Sequence, residues 1–254
     1  MSNRRLVVGN WKMNPGTLAE AKKIARKVKR AAAGLEKTEV VICPPFTFVA
    51  AVKPRQKSKN FALGAQSVSV EEGVGAHTGE VSAAMLSDIG AEFAIVGHSE
   101  QRKKGDTDEM VAQRLKAALD GGLTPIVCVG ETVRDKAGAY MEGLKDQIKN
   151  SLALAPKIAA KNIIIAYEPV WAIGAKEPMV ADQIYETSIF VKKAFADIFG
   201  SANGLKVRVL YGGAVNFRNA YEIMTAGKVD GLLVGRESVN TPGFIELLKA
   251  VDRI

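Results

Sequence analysis

From one end to the other, short runs of apolar residues alternate with longer stretches in which apolar positions recur every three or four residues. The short runs are rich in β-branched side chains and apolar throughout, as in strands buried on both faces of a parallel sheet. They fall at 6–9, 40–43, 61–65, 93–97, 126–130, 163–167, 207–212 and 231–235. The amphipathic stretches at 17–33, 79–88, 106–119, 136–154, 182–199 and 241–251 predict helices between them. A repeated strand–helix unit with short connections requires right-handed crossovers and parallel strands. Eight strands close a barrel, and no Pro-, Gly- or Ser-rich linker divides the chain, so one (β/α)8 barrel domain over residues 1–254 is expected. An open doubly wound sheet is the alternative. Against it, no Gly-x-Gly-x-x-Gly turn follows the first strand, so no dinucleotide is implied.

Such a barrel carries its chemistry at the C-terminal ends of its strands. Few polar residues lie there: Asn10 and Lys12 after the first strand, His98, Ser99 and Glu100 after the fourth, Glu168 after the sixth, and Arg236 after the eighth. Glu168 ends a buried run, and Pro169, Trp171 and Ile173 then make the following loop stiff and apolar. An acid in this place either does chemistry or caps the helix that follows. Of the two histidines, His77 lies in a glycine-bearing loop that suits the surface, whereas His98 ends a strand. Lys12, His98 and Glu168 would therefore converge on one barrel mouth.

A carboxylate, an imidazole and an ammonium, with no metal-ligand cluster and no cofactor motif, suit proton abstraction next to a carbonyl. The carboxylate takes a carbon-bound proton, and the two other groups stabilise the enediolate oxygens. One well-placed donor of this kind contributes about 3–4 kcal/mol in the transition state. Gly174, Gly212, Gly213 and Gly235 offer backbone N–H groups with no side chain in the way, a phosphate grip at strand ends.

Hydrophobic residues at 47% and charged residues at 24% are enough to build a large core. No apolar run is long enough to span a membrane, and Met1 to Arg5 lead into a strand instead of a signal segment, so a soluble, cytoplasmic protein is expected. Cys43 and Cys128 sit in apolar runs and read as small buried hydrophobes. The net charge of +8 is spread over many segments, with only 26–30 dense, and that stretch reads as a solvated helix face. It would attract a small phosphorylated anion; neither a nucleic-acid nor a membrane partner is expected.

The segments Gly9-Asn10-Trp11-Lys12-Met13-Asn14, Val96-Gly97-His98-Ser99-Glu100 and Ala166-Tyr167-Glu168-Pro169-Val170-Trp171-Ala172-Ile173-Gly174 closely resemble the triosephosphate isomerase family. Thr78-Gly79-Glu80-Val81-Ser82-Ala83, Cys128-Val129-Gly130-Glu131-Thr132 and Tyr211-Gly212-Gly213 follow in the family's order, so the resemblance spans essentially the whole chain. It implies a TIM barrel that interconverts dihydroxyacetone phosphate and D-glyceraldehyde 3-phosphate without a cofactor, in glycolysis and gluconeogenesis. By the same resemblance Glu168 is the general base and His98 the electrophile. Lys12 holds the substrate, Asn10 orients it, and Glu100 is an acid beside Lys12. Gly174, Ala214, Gly235 and Arg236 bind substrate, residues 169–179 form a lid, and the loop around Thr78 builds a homodimer.

The chain also departs from the family. After Gly174 it has Ala175-Lys176-Glu177-Pro178-Met179 in place of the usual Thr-Gly-Lys-Thr-Ala, and Ala214 replaces a serine that helps latch the lid. These two changes are expected to compensate. Arg236 replaces a glycine and would be strained if that position needed positive φ; an ion pair with Glu237 or a surface acid is expected for its side chain. Gln101 replaces an arginine, which touches the dimer contacts. Two other readings remain open from sequence: an aldolase in which Lys12 forms a Schiff base, and a binding protein that kept the barrel.

Overall fold

The structure, a computed structural model, describes residues 4–56, 58–71, 73–135, 137–173 and 179–254. All eight expected strands form: β1 (Arg5–Asn10), β2 (Thr38–Cys43), β3 (Phe61–Ala65), β4 (Phe93–Val96), β5 (Thr124–Val129), β6 (Ile164–Tyr167), β7 (Arg208–Tyr211) and β8 (Gly231–Val234). Each pairs in parallel with its sequence neighbour. β8 then returns to β1, with Leu6 opposite Gly231 and Gly9 opposite Val234, which closes the barrel. The open-sheet alternative is thereby excluded.

The core has two layers, because side chains alternate along each strand. Leu6, Val8, Val41, Cys43, Ile95, Ile126, Cys128, Ala166 and Leu210 pack together inside the barrel. Val7, Val40, Ile42, Val96, Val127, Ile165 and Val209 point the other way and meet the helices. This is why the strands read as unbroken apolar runs. Both cysteines are free and buried, and burial raises both thiols well above their ordinary value.

Helix α1 (Leu18–Ala32) shows how the outer layer is specified: Thr17 accepts a hydrogen bond from the Glu20 N–H at 3.3 Å. Its buried stripe is Ala21, Ile24, Ala25, Val28 and Ala32, the spacing of one helical face, and its lysines and arginines face outward or lie half-buried. Further along come α2 (Phe46–Val52), α3 (Ala83–Asp88), α4 (Ser99–Arg102), α5 (Asp108–Asp120) and α6 (Tyr140–Ser151). The last four are α7 (Ala181–Phe199), α8 (Ser201–Gly204), α9 (Ala220–Thr225) and α10 (Thr241–Asp252).

Three helices begin two or more residues later than expected, each at a local cap. Helix α3 starts at 83 instead of 79, since Ser82 accepts the Met85 N–H at 3.3 Å. Helix α5 starts after Thr107, which accepts the Met110 N–H at 3.3 Å. Before α6, the Asp135 carboxylate accepts the N–H groups of Ala139 and Tyr140 at 3.0 and 2.9 Å; the expected start, Lys136, lies outside the described residues. Helices α2, α4, α8 and α9 have four to seven residues, too few to show a period. No helix among the described residues is long and apolar enough to cross a membrane.

Candidate active site

Glu168 leaves β6 with its backbone fixed by both neighbouring strands. Its N–H donates to the Val129 carbonyl at 2.8 Å, and the Gly212 N–H donates to the Tyr167 carbonyl at 2.8 Å. On one side this close approach depends on Gly130: a methyl group there would stand 1.9 Å from the Glu168 carbonyl oxygen. On the other side, a methyl group on Gly212 would stand 2.8 Å from Glu168 Cγ. The carboxylate is 2% exposed and would be costly to bury unpartnered. Its Oε2 accepts the N–H of Ser99 at 3.2 Å, and its Oε1 lies 3.1 Å from His98 Nε2. Among the described residues, no side chain caps the helical segments that follow Glu168, so the capping alternative does not hold; the acid instead accepts from the first residue of α4 while facing an imidazole.

His98 precedes α4 and acts as its cap. The Glu100 N–H donates to His98 Nδ1 at 3.2 Å. With Nδ1 engaged by the backbone of α4, it is Nε2 that faces the Glu168 carboxylate. Helix α4 is in turn tied down by Arg102, whose guanidinium donates to the Gly97 carbonyl at 2.8 Å and pairs with Asp108 at 2.6 Å.

Lys12 has φ of 52°, one of two non-glycine residues with positive φ among the described residues. Such a conformation costs about 1–3 kcal/mol and persists where its surroundings enforce it. Here the Lys12 N–H donates to Asn10 Oδ1 at 3.1 Å. Gln66 Nε2 donates to the Lys12 carbonyl at 2.8 Å and to the Cys43 carbonyl at 2.9 Å. The side chain then reaches Glu100, with Nζ to Oε1 at 2.7 Å. Burial acts to raise the Glu100 carboxyl, but the hydrogen bond and charge of Lys12 outweigh it and hold it below its ordinary value. The end of β8 comes close as well: a methyl group on Gly235 would stand 3.5 Å from Lys12 Cε.

The structure therefore brings Asn10, Lys12, His98, Glu100 and Glu168 to one mouth, with Gly235 beside Lys12. Gly174 and 175–178 lie outside the described residues. Ala214 is half-buried, and its carbonyl accepts from Asn219 Nδ2 at 2.9 Å. For Arg236 the turn is the ordinary one of the two left open, and one expectation, the ion pair, is corrected. Arg236 opens a short 3₁₀ turn (Arg236–Ser238) without positive φ, so no strain arises. Its side chain is exposed, and no ion pair with Glu237 forms, because Glu237 Oε1 accepts from Asn240 Nδ2 at 3.3 Å. His77 is on the surface, 3.8 Å from Glu71 Oε2. Gln66 and Gly130 went unmarked as functional positions in the sequence, although both directly follow a strand, the rule that singled out the others.

A closed α/β barrel whose mouth holds a buried carboxylate against a buried imidazole is the arrangement of a barrel enzyme that moves protons. Residues 5–251 match the family model described as triosephosphate isomerase. A triosephosphate isomerase of Endomicrobium trichonymphae is 42% identical over 96% of this chain and 97% of its own length. One of Gluconacetobacter diazotrophicus is 40% identical over 97% and 98%. A crystal structure of triosephosphate isomerase from Bartonella henselae aligns with TM-score 0.83 and 33% identity, covering 97% of this chain and 98% of its own. The chain belongs to the triosephosphate isomerase family.

Proposed function

We propose that residues 1–254 work as one barrel domain that isomerises dihydroxyacetone phosphate and D-glyceraldehyde 3-phosphate, without a cofactor, through an enediolate. The observation that carries this reading is the 3.1 Å contact between Glu168 Oε1 and His98 Nε2, with His98 Nδ1 engaged by the Glu100 N–H. Substrate would enter between these two groups. Glu168 would take the proton from carbon, while His98 Nε2–H gives its proton to the carbonyl oxygen and recovers one from the neighbouring hydroxyl. Carbon–carbon and carbon–oxygen connectivity is unchanged; one proton crosses between carbons and one between oxygens. Lys12 would stabilise the negative oxygens, Asn10 would orient the substrate, and Glu100 would set the reach of Lys12.

Phosphate would be gripped by the backbone N–H groups of Gly174, Ala214, Gly235 and Arg236, with residues 169–179 as the lid. The aldolase alternative is disfavoured because Lys12 Nζ is engaged by Glu100 Oε1 at 2.7 Å, whereas a Schiff base needs a free amine. The loop around Thr78 supports a homodimer: residues 73–80 are all exposed, and Val74 is 87% and Met13 95% exposed. A cytoplasmic place in glycolysis and gluconeogenesis fits such an enzyme. The test is turnover of D-glyceraldehyde 3-phosphate by the wild type and by Glu168→Gln. A fast wild type and a variant slowed by about 10²–10⁴-fold are expected; a wild type without turnover refutes the proposal.

A further inference from the structure

Strand β5 outlasts its neighbour β4. The last pair between them is Val96 with Val127, after which Gly97 turns away with φ of 69° and the chain enters α4. On its other side β5 continues beside β6 to the pair Val129 with Tyr167, and the Val129 carbonyl then accepts the Glu168 N–H at 2.8 Å. The C=O and N–H of a trans peptide point in opposite directions. Because the Val129 carbonyl faces β6, the Gly130 N–H of the same peptide faces the side that β4 has left. A half-buried backbone donor in that place needs a partner.

Helix α6, on the outside of the barrel, supplies it: Gln147 Oε1 accepts the Gly130 N–H at 2.8 Å. The neighbouring Cys128 carbonyl, which β4 also leaves bare, accepts from Arg102 at 3.3 Å. Arg102 in turn donates to Ser151 Oγ at 3.0 Å, and Ser151 is fully buried on α6. Residues four apart lie on one face of a helix, so Gln147 and Ser151 together take the place of the missing strand, Gln147 directly and Ser151 through Arg102.

The peptide between Val129 and Gly130 thus has Glu168 at one end and Gln147 at the other. Its glycine packs so tightly against the Glu168 carbonyl that no methyl group fits, so this peptide cannot tilt without moving the backbone of the base. We infer that Gln147 is a positioning residue for Glu168, acting from outside the barrel through this one peptide. Without the Gln147 acceptor the peptide is held only at its carbonyl, and a carboxylate set 3.1 Å from His98 Nε2 loses its fixed support. Small displacements of a reacting group lower the rate steeply. Lys12 after β1 and Gly235 after β8 stand apart from this peptide, so the effect falls on kcat and not on KM.

The inference rests on the isomerase reading. The experiment measures kcat, KM, Tm and amide hydrogen exchange at Gly130 and Glu168 for the wild type, Gln147→Met, Gln147→Glu and Ile148→Val. Gln147→Met keeps the bulk and removes the acceptor: kcat should fall about tenfold at nearly unchanged KM, and both amides should exchange faster. Gln147→Glu keeps an acceptor at the same reach and should recover most of kcat. Ile148→Val trims a buried neighbour on the same helix; it should lower Tm and leave kcat as in the wild type. A wild-type kcat or unchanged exchange at Glu168 in Gln147→Met, an equal loss in Gln147→Glu, or an equal loss of kcat in Ile148→Val overturns the inference. Should Gln147→Met fail to fold, Gln147→Asn, whose side chain is too short for the bond, must lower kcat at unchanged KM, and a wild-type kcat there overturns it. A wild type without turnover overturns the isomerase reading and this inference together, whereas a fast wild type beside an unaffected Gln147→Met overturns the inference alone.

Discussion

His98 Nε2 stands 3.1 Å from Glu168 Oε1 because the other ring nitrogen is already taken by the N–H of Glu100. The backbone of α4 thus fixes which nitrogen of the imidazole faces the carboxylate. His98→Asn separates the two functions of the residue: asparagine can still cap α4 but cannot relay a proton. The expected outcome is a kcat lower by about 10²–10³, with Tm nearly unchanged. A kcat within tenfold of the wild type would remove His98 from the chemistry.

Gly130 and Gly212 flank Glu168 but should fail in different ways. A methyl group on Gly130 meets backbone, the Glu168 carbonyl at 1.9 Å, so a strand must move. Gly130→Ala is expected to cost about 1–3 kcal/mol or more of stability and to lower activity with it. On Gly212 the methyl group meets the side chain, Cγ at 2.8 Å, which can turn aside. Gly212→Ala is therefore expected to lower kcat at least tenfold with a smaller loss of stability. Chemical unfolding beside steady-state kinetics distinguishes the two.

Strand order and the polar residues at strand ends were legible because a parallel barrel buries both faces of each strand and leaves only its mouth polar. Asn10, Lys12, His98, Glu100 and Glu168 were found by that rule and the family resemblance together. Gly130 was hidden because a glycine matters there only through an oxygen that arrives from another strand. Gln66 acts on backbone carbonyls of Lys12 and Cys43, contacts with no pattern along the chain. The late helix starts follow from Ser82, Thr107 and Asp135, whose caps outweighed the periodicity around them.

Gln66 suggests a test of the strained Lys12. With φ of 52° the lysine backbone is held by Asn10 and by Gln66. Gln66→Leu keeps the bulk, removes the donor and leaves the Lys12 and Cys43 carbonyls without it. Stability should fall by about 1–3 kcal/mol, and KM should rise more than kcat falls if Lys12 holds substrate. A variant with wild-type KM would show that Lys12 keeps its place without Gln66.

Asp252, at the end of α10, accepts the N–H groups of Glu36 and Lys37 at 3.1 and 2.8 Å and so ties the C-terminal helix to the entry of β2. Burial acts to raise its carboxyl, but these two bonds outweigh it and hold the pKa below the ordinary value of 3.8. A depressed carboxylate stabilises the fold fully above its unfolded value, and the contribution is lost as pH falls through the folded one. The wild type should therefore lose this part of its stability only below 3.8. Asp252→Asn should be weaker by about 1 kcal/mol at neutral pH, with the difference closing in acid. A gap that stays constant down to about pH 2 would assign the effect to packing.

Arg236 separates two ways of holding a phosphate. A guanidinium on the dianion would attract it over a distance and weaken with salt, whereas a backbone N–H needs only the turn. The exposure of the Arg236 side chain, the absence of positive φ and the short 3₁₀ turn it opens favour the backbone. Arg236→Ala keeps the N–H and an ordinary φ, and removes only the charge. An exposed charge contributes about 0–1 kcal/mol, so KM should stay within about fivefold and keep the same dependence on salt. Steady-state kinetics at low and high ionic strength decide it: a larger rise in KM at low salt that vanishes at high salt would give the grip to the guanidinium, and the change from glycine to arginine would then be a gain of charge in the site.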